Sequence, residues 1–280
     1  MGHDSRLIKA DIPADHHDPL SYAISARDKS TIEMVNAAVK HKQVMLAYQA
    51  VVPAGNQSCP AFYEGLIRVL DETGRIIPAR EFIAAIETTE TGRIIDCLAL
   101  EKGLHTLSRY PDLRLSINMS ARSIGYSPWM RTLKRGLGKD PTVAERLILE
   151  ITESSAMLVP ELVIGFMHEL QHKGVSFALD DFGAGFTAFR YFKDFYFDIL
   201  KIDGQFIRGI ADNPDNQVLT VALATIAEQF DMVSVAEHVE HPRDAAYLVA
   251  MGIDCLQGYY FGAPTVRPPW LEPADRRASA

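Results

Sequence analysis

From residue 44 onward, short runs of β-branched and aromatic residues alternate with segments whose apolar positions recur every three or four residues. The strand-type runs fall at 44–51, 62–70, 113–118, 146–152, 175–180, 198–203, 232–237 and 254–258. Helical periodicity occupies 80–88, 93–109, 129–136, 160–173, a short stretch at 187–193, 215–230 and 242–251. A first helix opens at the capping box Ser30-Thr31-Ile32-Glu33, with Ile32, Val35, Ala38 and Val39 on one face. Only about ten residues separate the first two strands, among them Pro53, Gly55, Asn56 and Pro60. That is too short for a crossover helix, so this pair is expected antiparallel. Each later strand is reached through a helix, which implies parallel neighbours. Eight strands in this order suggest an α/β fold, a TIM-like (β/α)8 barrel with its first strand antiparallel to the rest. An open doubly wound sheet is the alternative. Residues 1–27 read as a tail or surface strap, 28–266 as one domain and 267–280, rich in Pro and Arg, as a C-terminal tail.

In such a barrel, chemistry gathers where the parallel strands end. The run 175–179 ends in two adjacent carboxylates, Asp180 and Asp181, followed by the glycine-bracketed loop Gly183-Ala184-Gly185. Like charges at the end of a buried strand repel and resist desolvation, so a cation is expected beside them. The plainer reading is a turn and a helix cap. Polar residues recur in the same place on other strands: Glu64 and Arg68, Asn118, Glu150 with Glu153, Lys201 with Asp203, Glu237, and Gln257. Any one could be a satisfied structural group; seven strands in succession are harder to read that way. Glu64, Asn118, Glu150, Asp180, Asp181 and Glu237 are oxygen donors, which suit Mg²⁺ or Mn²⁺ better than zinc or copper. Their five carboxylates exceed what one divalent ion needs. Two ions sharing a bridging Asp would balance the charge and suit in-line attack on a phosphodiester.

Composition narrows the partners. The 280 residues are 48% hydrophobic and carry a net charge of −8, which disfavours a duplex nucleic-acid binder but permits a small anion held through metal. The three cysteines, Cys59, Cys97 and Cys255, are scattered and without a CxxC pair, pointing to a reducing compartment and away from a thiolate metal site. No apolar run approaches the roughly 18–20 residues that span a bilayer, and residues 1–6 lack a signal-peptide core. A cytoplasmic location without membrane contact is the expectation.

Eight colinear blocks between about Lys40 and Pro264 resemble the EAL-domain phosphodiesterases, which hydrolyse cyclic di-GMP. They are Tyr48-Gln49, Glu64-Gly65-Leu66-Ile67-Arg68, Asn118-Met119-Ser120, Leu149-Glu150-Ile151-Thr152-Glu153, Asp180-Asp181-Phe182-Gly183-Ala184-Gly185, Lys201-Ile202-Asp203, Ala236-Glu237-His238-Val239-Glu240 and Gln257-Gly258-Tyr259. The resemblance implies a barrel with an antiparallel first strand and hydrolysis to linear 5'-pGpG with two ions, Mg²⁺ or Mn²⁺. It implies that Glu64, Asn118, Glu150 and Asp180 hold the first ion and that Asp180, Asp181 and Glu237 serve the second. Lys201 and Glu237 would position and activate the attacking water, with Gln257 beside the site. Glu153 would anchor the loop after the fifth strand, while Arg68, Gln49 and Gln257 would meet the substrate. A homodimer through the region after that strand is also implied.

The chain departs from the family pattern at three places. Gly65 stands where the signature has Ala, His238 replaces a usual Gly, and Phe186-Thr187-Ala188 stands where Tyr-Ser-Ser is common. The aromatic residues Phe189, Tyr191, Phe192, Phe195, Tyr196 and Phe197 read equally as core or as a dimer face. Two other functions stay open: a slow or inactive EAL-type domain acting as a cyclic di-GMP-binding effector, and a barrel hydrolase of sugars. The latter would need a carboxylate pair but neither Asn118, Lys201 nor the Asp-Asp step.

Overall fold

The computed structural model describes residues 19–184 and 193–271, with side chains from residue 29 onward. Helix α1 (Pro19–Lys40) leads to β1 (Val44–Pro53), β2 (Phe62–Leu70) and a short β3 (Ile76–Pro78). Then come α2 (Ile83–Ile86), α3 (Glu90–Arg109), β4 (Leu115–Asn118), α4 (Ser127–Lys139), β5 (Leu147–Thr152), α5 (Glu153–Ala156) and α6 (Pro160–Gln171). The last elements are β6 (Ser176–Phe182), β7 (Ile199–Ile202), α7 (Gly204–Ile207), α8 (Pro214–Gln229), β8 (Val233–Ala236), α9 (Pro242–Met251) and β9 (Cys255–Gln257).

The sheet closes. β2, β4, β5, β6, β7, β8 and β9 pair in parallel order, and β1 fits antiparallel between β9 and β2. The eight-stranded barrel with one reversed strand is therefore the observed fold. β3 is an addition: it pairs antiparallel with the outer end of β2, where Arg68 faces Pro78. The helix expected at 80–88 is broken into a 3-10 turn, Ala79–Glu81, and the single turn of α2. The first helix starts at Pro19 rather than at Ser30, with proline in the first turn, where its missing N–H costs nothing.

Two apolar clusters divide the interior. The larger lies between the barrel and its helices and includes Trp129, Phe82, Phe177 and Phe182. The smaller joins Val51, Phe62, Ile148, Ala178, Ile199, Val235 and Cys255, one residue from each of seven strands, and fills the barrel lumen. Arg146, itself buried, donates to the carbonyls of Leu107, Tyr110 and Leu113, satisfying the end of α3 that would otherwise be left unpaired. No helix joins β1 to β2, so α1 and α3 pack on this pair. Thr265 bridges to Tyr48, and Trp270 stacks edge-on against Tyr48 and Tyr63 at 5.2 and 4.4 Å. The segment around Trp270 is thus part of the packed domain, where composition suggested a tail. Among the described residues no helix is long and apolar enough to cross a membrane.

Candidate active site

Strand periodicity builds the site directly. Side chains two apart on a strand share a face, so the residue two positions above each luminal apolar one also points inward. Above Phe62 stands Glu64, above Ile148 Glu150, above Ala178 Asp180, above Ile199 Lys201, above Val235 Glu237 and above Cys255 Gln257. Asn118 stands above Ser116. On β1, which runs the other way, the polar Gln49 precedes the apolar Val51. A polar ring at the mouth of the barrel thus sits on an apolar plug.

Lys201 is the centre of that ring. Fully buried, its Nζ lies 2.8 Å from Glu150, Asp180 and Glu237 and 3.5 Å from Glu64. Burial alone would lower its pKa, but Asp180, Glu150, Glu237 and Glu64 outweigh it and hold the ammonium well above its ordinary value. Burial pushes the Glu150 carboxyl up to about 8, with the charges of Glu64 and Asp180 adding to it against Lys201. Burial likewise holds Glu237 well above the usual carboxylate range, Lys201 opposing and Asp180 and Glu64 reinforcing. For Glu64 burial is outweighed by Lys201, Gln257 and Asn118, which leave it below its usual value.

The amides fix the carboxylates. Asn118 Nδ2 donates to Glu64 Oε1 at 2.7 Å, and Gln257 Nε2 donates to Glu64 Oε2 at 2.6 Å. Gln49 Oε1 accepts from Gln257 at 3.2 Å, while Gln49 Nε2 donates to the Gly262 carbonyl at 3.0 Å. Gln49 is thus fixed by the Gly262 carbonyl at one end and holds Gln257 with the other. Among the described residues, the buried oxygens Glu150 Oε1, Gln257 Oε1 and Glu153 Oε1 have no hydrogen-bond partner, and the first two leave acceptor capacity in the ring for a cation or its water.

Asp180 and Asp181 present a geometric problem, since neighbours on a regular strand face opposite ways. The chain solves it with a register shift between β6 and β7 and with Asp181 in the left-handed region, at φ 54°. Asp is among the few residues that tolerate this conformation, at about 1 kcal/mol or more. As a result Asp180, Asp181 and Glu237 each offer an oxygen within 4.8 Å of the others. Burial and the charges of Asp180 and Asp203 raise Asp181 to about 6, and a hydrogen bond to Asp203 adds to the shift. The all-oxygen donor set, its excess of negative charge and the unpartnered acceptors fit a hard divalent cation.

The other expected residues lie around this ring. Glu153, at the start of α5, accepts from Gly183 N at 3.2 Å and so holds the turn after β6. Arg68 is on the outer part of β2, where burial lowers its pKa while Glu64 raises it and Arg80 adds repulsion. Arg80, which the sequence pattern did not single out, donates to Tyr259 at 3.4 Å. His238 packs over Gly204, where an added Cβ would lie 2.5 Å from its Nδ1. Phe186, Thr187, Ala188, Phe189, Tyr191 and Phe192, and the expected helix at 187–193 up to residue 192, lie outside the described residues. Asp96 and Ser155, which reach the turn after Asn118, carried no motif signal.

The fold and site define an α/β-barrel protein with an acidic, cation-seeking centre at the carboxyl ends of its parallel strands. The chain belongs to the EAL-domain family, whose model matches residues 32–264. It is similar to cyclic di-GMP phosphodiesterase PdeB of Shewanella oneidensis, 29% identical over 86% of this chain and 28% of that protein. It is also similar to cyclic di-GMP phosphodiesterase PdeF of Escherichia coli, 30% identical over 84% of this chain and 32% of that protein. The chain thus spans less than a third of the length of these two curated relatives. Among solved structures, PaMucR phosphodiesterase in its c-di-GMP complex has a TM-score of 0.73 at 25% identity, covering 89% of this chain and 99% of that one. The Xanthomonas citri FimX EAL domain, with a TM-score of 0.75 at 20% identity and covering 87% and 97%, shares the fold.

Proposed function

We propose that this chain is a metal-dependent phosphodiesterase that opens cyclic di-GMP to linear 5'-pGpG. The observation that carries the reading is the ring itself: four carboxylates around one buried ammonium, with two amides fixing Glu64. Membership of the EAL family, and the c-di-GMP complex of PaMucR, support the choice of substrate. Glu64, Asn118, Glu150 and Asp180 would hold one ion, and Asp180, Asp181 and Glu237 a second, Mg²⁺ or Mn²⁺. When bound, such ions neutralise the phosphodiester and stabilise the attacking and leaving oxygens.

The chain's own residues supply the rest. Lys201, held cationic by its carboxylates, donates hydrogen bonds and orients the attacking water; it is not the base. Glu237 is the proton acceptor, a carboxylate held 2.8 Å from Lys201 and beside Asp180 and Asp181. Arg68 at the rim binds a substrate phosphate. Gln257, aligned by Gln49, keeps one carbonyl oxygen for water or substrate. Gln49 thereby acts on the substrate through Gln257. Glu153 keeps the turn after β6 in the form that presents Asp180 and Asp181.

The test is incubation of the purified protein with cyclic di-GMP and Mg²⁺ or Mn²⁺, with products separated by chromatography. Linear pGpG is expected, and calcium in place of either ion should suppress it. Tight nucleotide binding without product would make the chain a cyclic di-GMP-binding effector. A homodimer through the region after β6 belongs to the same reading, supported by exposed Val218, Leu219 and Val221 on α8; sedimentation velocity checks it. A cytoplasmic location is proposed with it, on the strength of the three free thiols.

A further inference from the structure

Helix α5 is a single turn, Glu153–Ala156, yet it touches two loops of the site. On one side Glu153 accepts from the Gly183 amide at 3.2 Å, in the turn just beyond Asp180 and Asp181. On the other, Ser155 Oγ accepts from the Ala121 amide at 2.8 Å and lies 3.5 Å from Ser120 Oγ, in the turn just beyond Asn118. The helix is itself held by Thr152, whose hydroxyl caps the Ser155 amide at 3.3 Å. The turn after Asn118 has a second anchor in Asp96 of α3, which accepts from Ser120 N at 3.0 Å and from Ser123 Oγ at 2.6 Å. Asn118 is therefore followed at once by a turn pinned from two directions, one of them leading to the Asp-Asp turn.

From this geometry we propose that Ser155 is a positioning residue. Its hydroxyl makes α5 one brace for both the turn that follows Asn118 and the turn that follows Asp181, so that the two loosen or tighten together. The inference rests on the metal reading above only for its consequence, the placing of Asn118 and Asp180 around a shared ion. The brace itself is a property of the metal-free chain. Glu153 without Ser155 would hold only the turn after β6. Ser155 adds a link across β5, from a first-ion donor to the residues that serve both ions. A hydrogen bond of this kind contributes about 1–1.4 kcal/mol, or up to tenfold in an opening equilibrium.

Hydrogen exchange followed by mass spectrometry on the full, metal-free chain tests the brace. In Ser155→Ala, exchange should rise up to about tenfold in the peptide containing 120–123 and also in the one containing Gly183. Ser155→Thr, which returns a hydroxyl, should restore both. Thr225→Ala, an exposed position on α8 whose hydroxyl donates to Val221 O in the same helix, should change neither. Faster exchange confined to 120–123 would overturn the proposal and leave Ser155 a local prop, and no change at either turn would overturn it outright. Mn²⁺ titration by calorimetry supplies the consequence: several-fold weaker uptake in Ser155→Ala at a temperature where the variant, melting only a few degrees lower, remains fully folded. Equal uptake by both proteins would remove the positioning role. Absence of Mn²⁺ uptake by the parent chain would instead overturn the metal reading, with the exchange result still deciding the brace.

Discussion

The two rings inside the barrel share seven strands, two residues apart on each, and they obey opposite physics. The lower ring is apolar, close-packed and free of charge, so every methylene in it contributes to stability. The upper ring gathers four carboxylates around one lysine, at sites where desolvation pushes Glu150 and Glu237 toward protonation. One ring holds the strands together; the other is held together by them. The comparison teaches that a strongly repulsive centre is tolerated here because its backbone is already fixed from below.

Removing the lysine is the severest way to break the contrast. Lys201→Met leaves four buried carboxylates without their cation, and the metal-free protein should lose about 3–5 kcal/mol. Turnover should fall by about 10²–10³-fold, as for loss of a preorganised donor. Thermal unfolding with and without Mn²⁺ checks this, since a divalent ion should recover much of the lost stability. Unchanged melting of the metal-free variant would mean that the ring is already neutralised by protons.

The lower ring should respond in the opposite sense. Ile199→Ala, directly beneath Lys201, should cost about 2–4 kcal/mol through cavity formation. Its effect on kcat should be small while the protein remains folded, because no polar group moves. A loss of activity larger than that of Lys201→Met, at a temperature where the variant is folded, would show that the rings are not separable.

Glu150→Gln sharpens the same division, because stability and activity should change in opposite directions. Lys201 keeps three carboxylates, the substituted amide needs no proton taken up on folding, and the metal-free protein should gain about 1–2 kcal/mol at neutral pH. Turnover should be abolished. The pH dependence carries the sign. Folding raises the Glu150 pKa to about 8 from an ordinary 4.5, so the folded chain binds that proton more tightly than the unfolded chain. The resulting stability is complete below the ordinary value and is lost as pH rises toward about 8. Metal-free parent protein should therefore melt progressively lower between pH 5 and 8, and Glu150→Gln should reduce that slope, leaving the part of the same sign that Asp181, raised to about 6, and Glu237 contribute. Glu64, held low, titrates below this window and does not obscure it.

Much of this site was legible in the chain because both signals are periodic. Luminal residues repeat every second position, so an inward polar group after an inward apolar one can be read strand by strand. The reversal on β1, with Gln49 before Val51, even carries the antiparallel direction. What escaped depends on contacts that no local pattern encodes. Whether Asp180 and Asp181 could act together rested on the positive φ of Asp181 and a register shift. The docking of Trp270 against Tyr48 and Tyr63 joins residues over two hundred positions apart, inside a segment whose composition reads as surface. Asp96 and Ser155 act on backbone amides, and a residue that binds backbone needs no motif partner in the sequence.

Gly65 gives the finest test of how the outer wall supports the upper ring. As a departure from the signature alanine it suggests a loosened strand, but the structure fills the space. A Cβ placed on Gly65 would lie 2.7 Å from Ile117 Cδ1 and 3.2 Å from the Ser116 carbonyl. The same methyl also occupies the space that a Cβ of Gly103 would need, 2.6 Å from that position, so it is packed between the two glycines. Restoring the signature by Gly65→Ala should therefore destabilise the protein. Overpacking of about 1–2 kcal/mol should outweigh the roughly 0.4–1 kcal/mol gained from a stiffer unfolded chain. Ile117→Val removes the obstructing methyl, so the pair Gly65→Ala/Ile117→Val should melt higher than Gly65→Ala alone. Glu64 and Asn118 flank these positions directly, so the single variant should also show a modest rise in the metal concentration needed for activity, reversed in the pair. A single variant at least as stable as the parent would show that Ile117 can turn aside, and that glycine at this position is a neutral exchange rather than one half of a fitted contact.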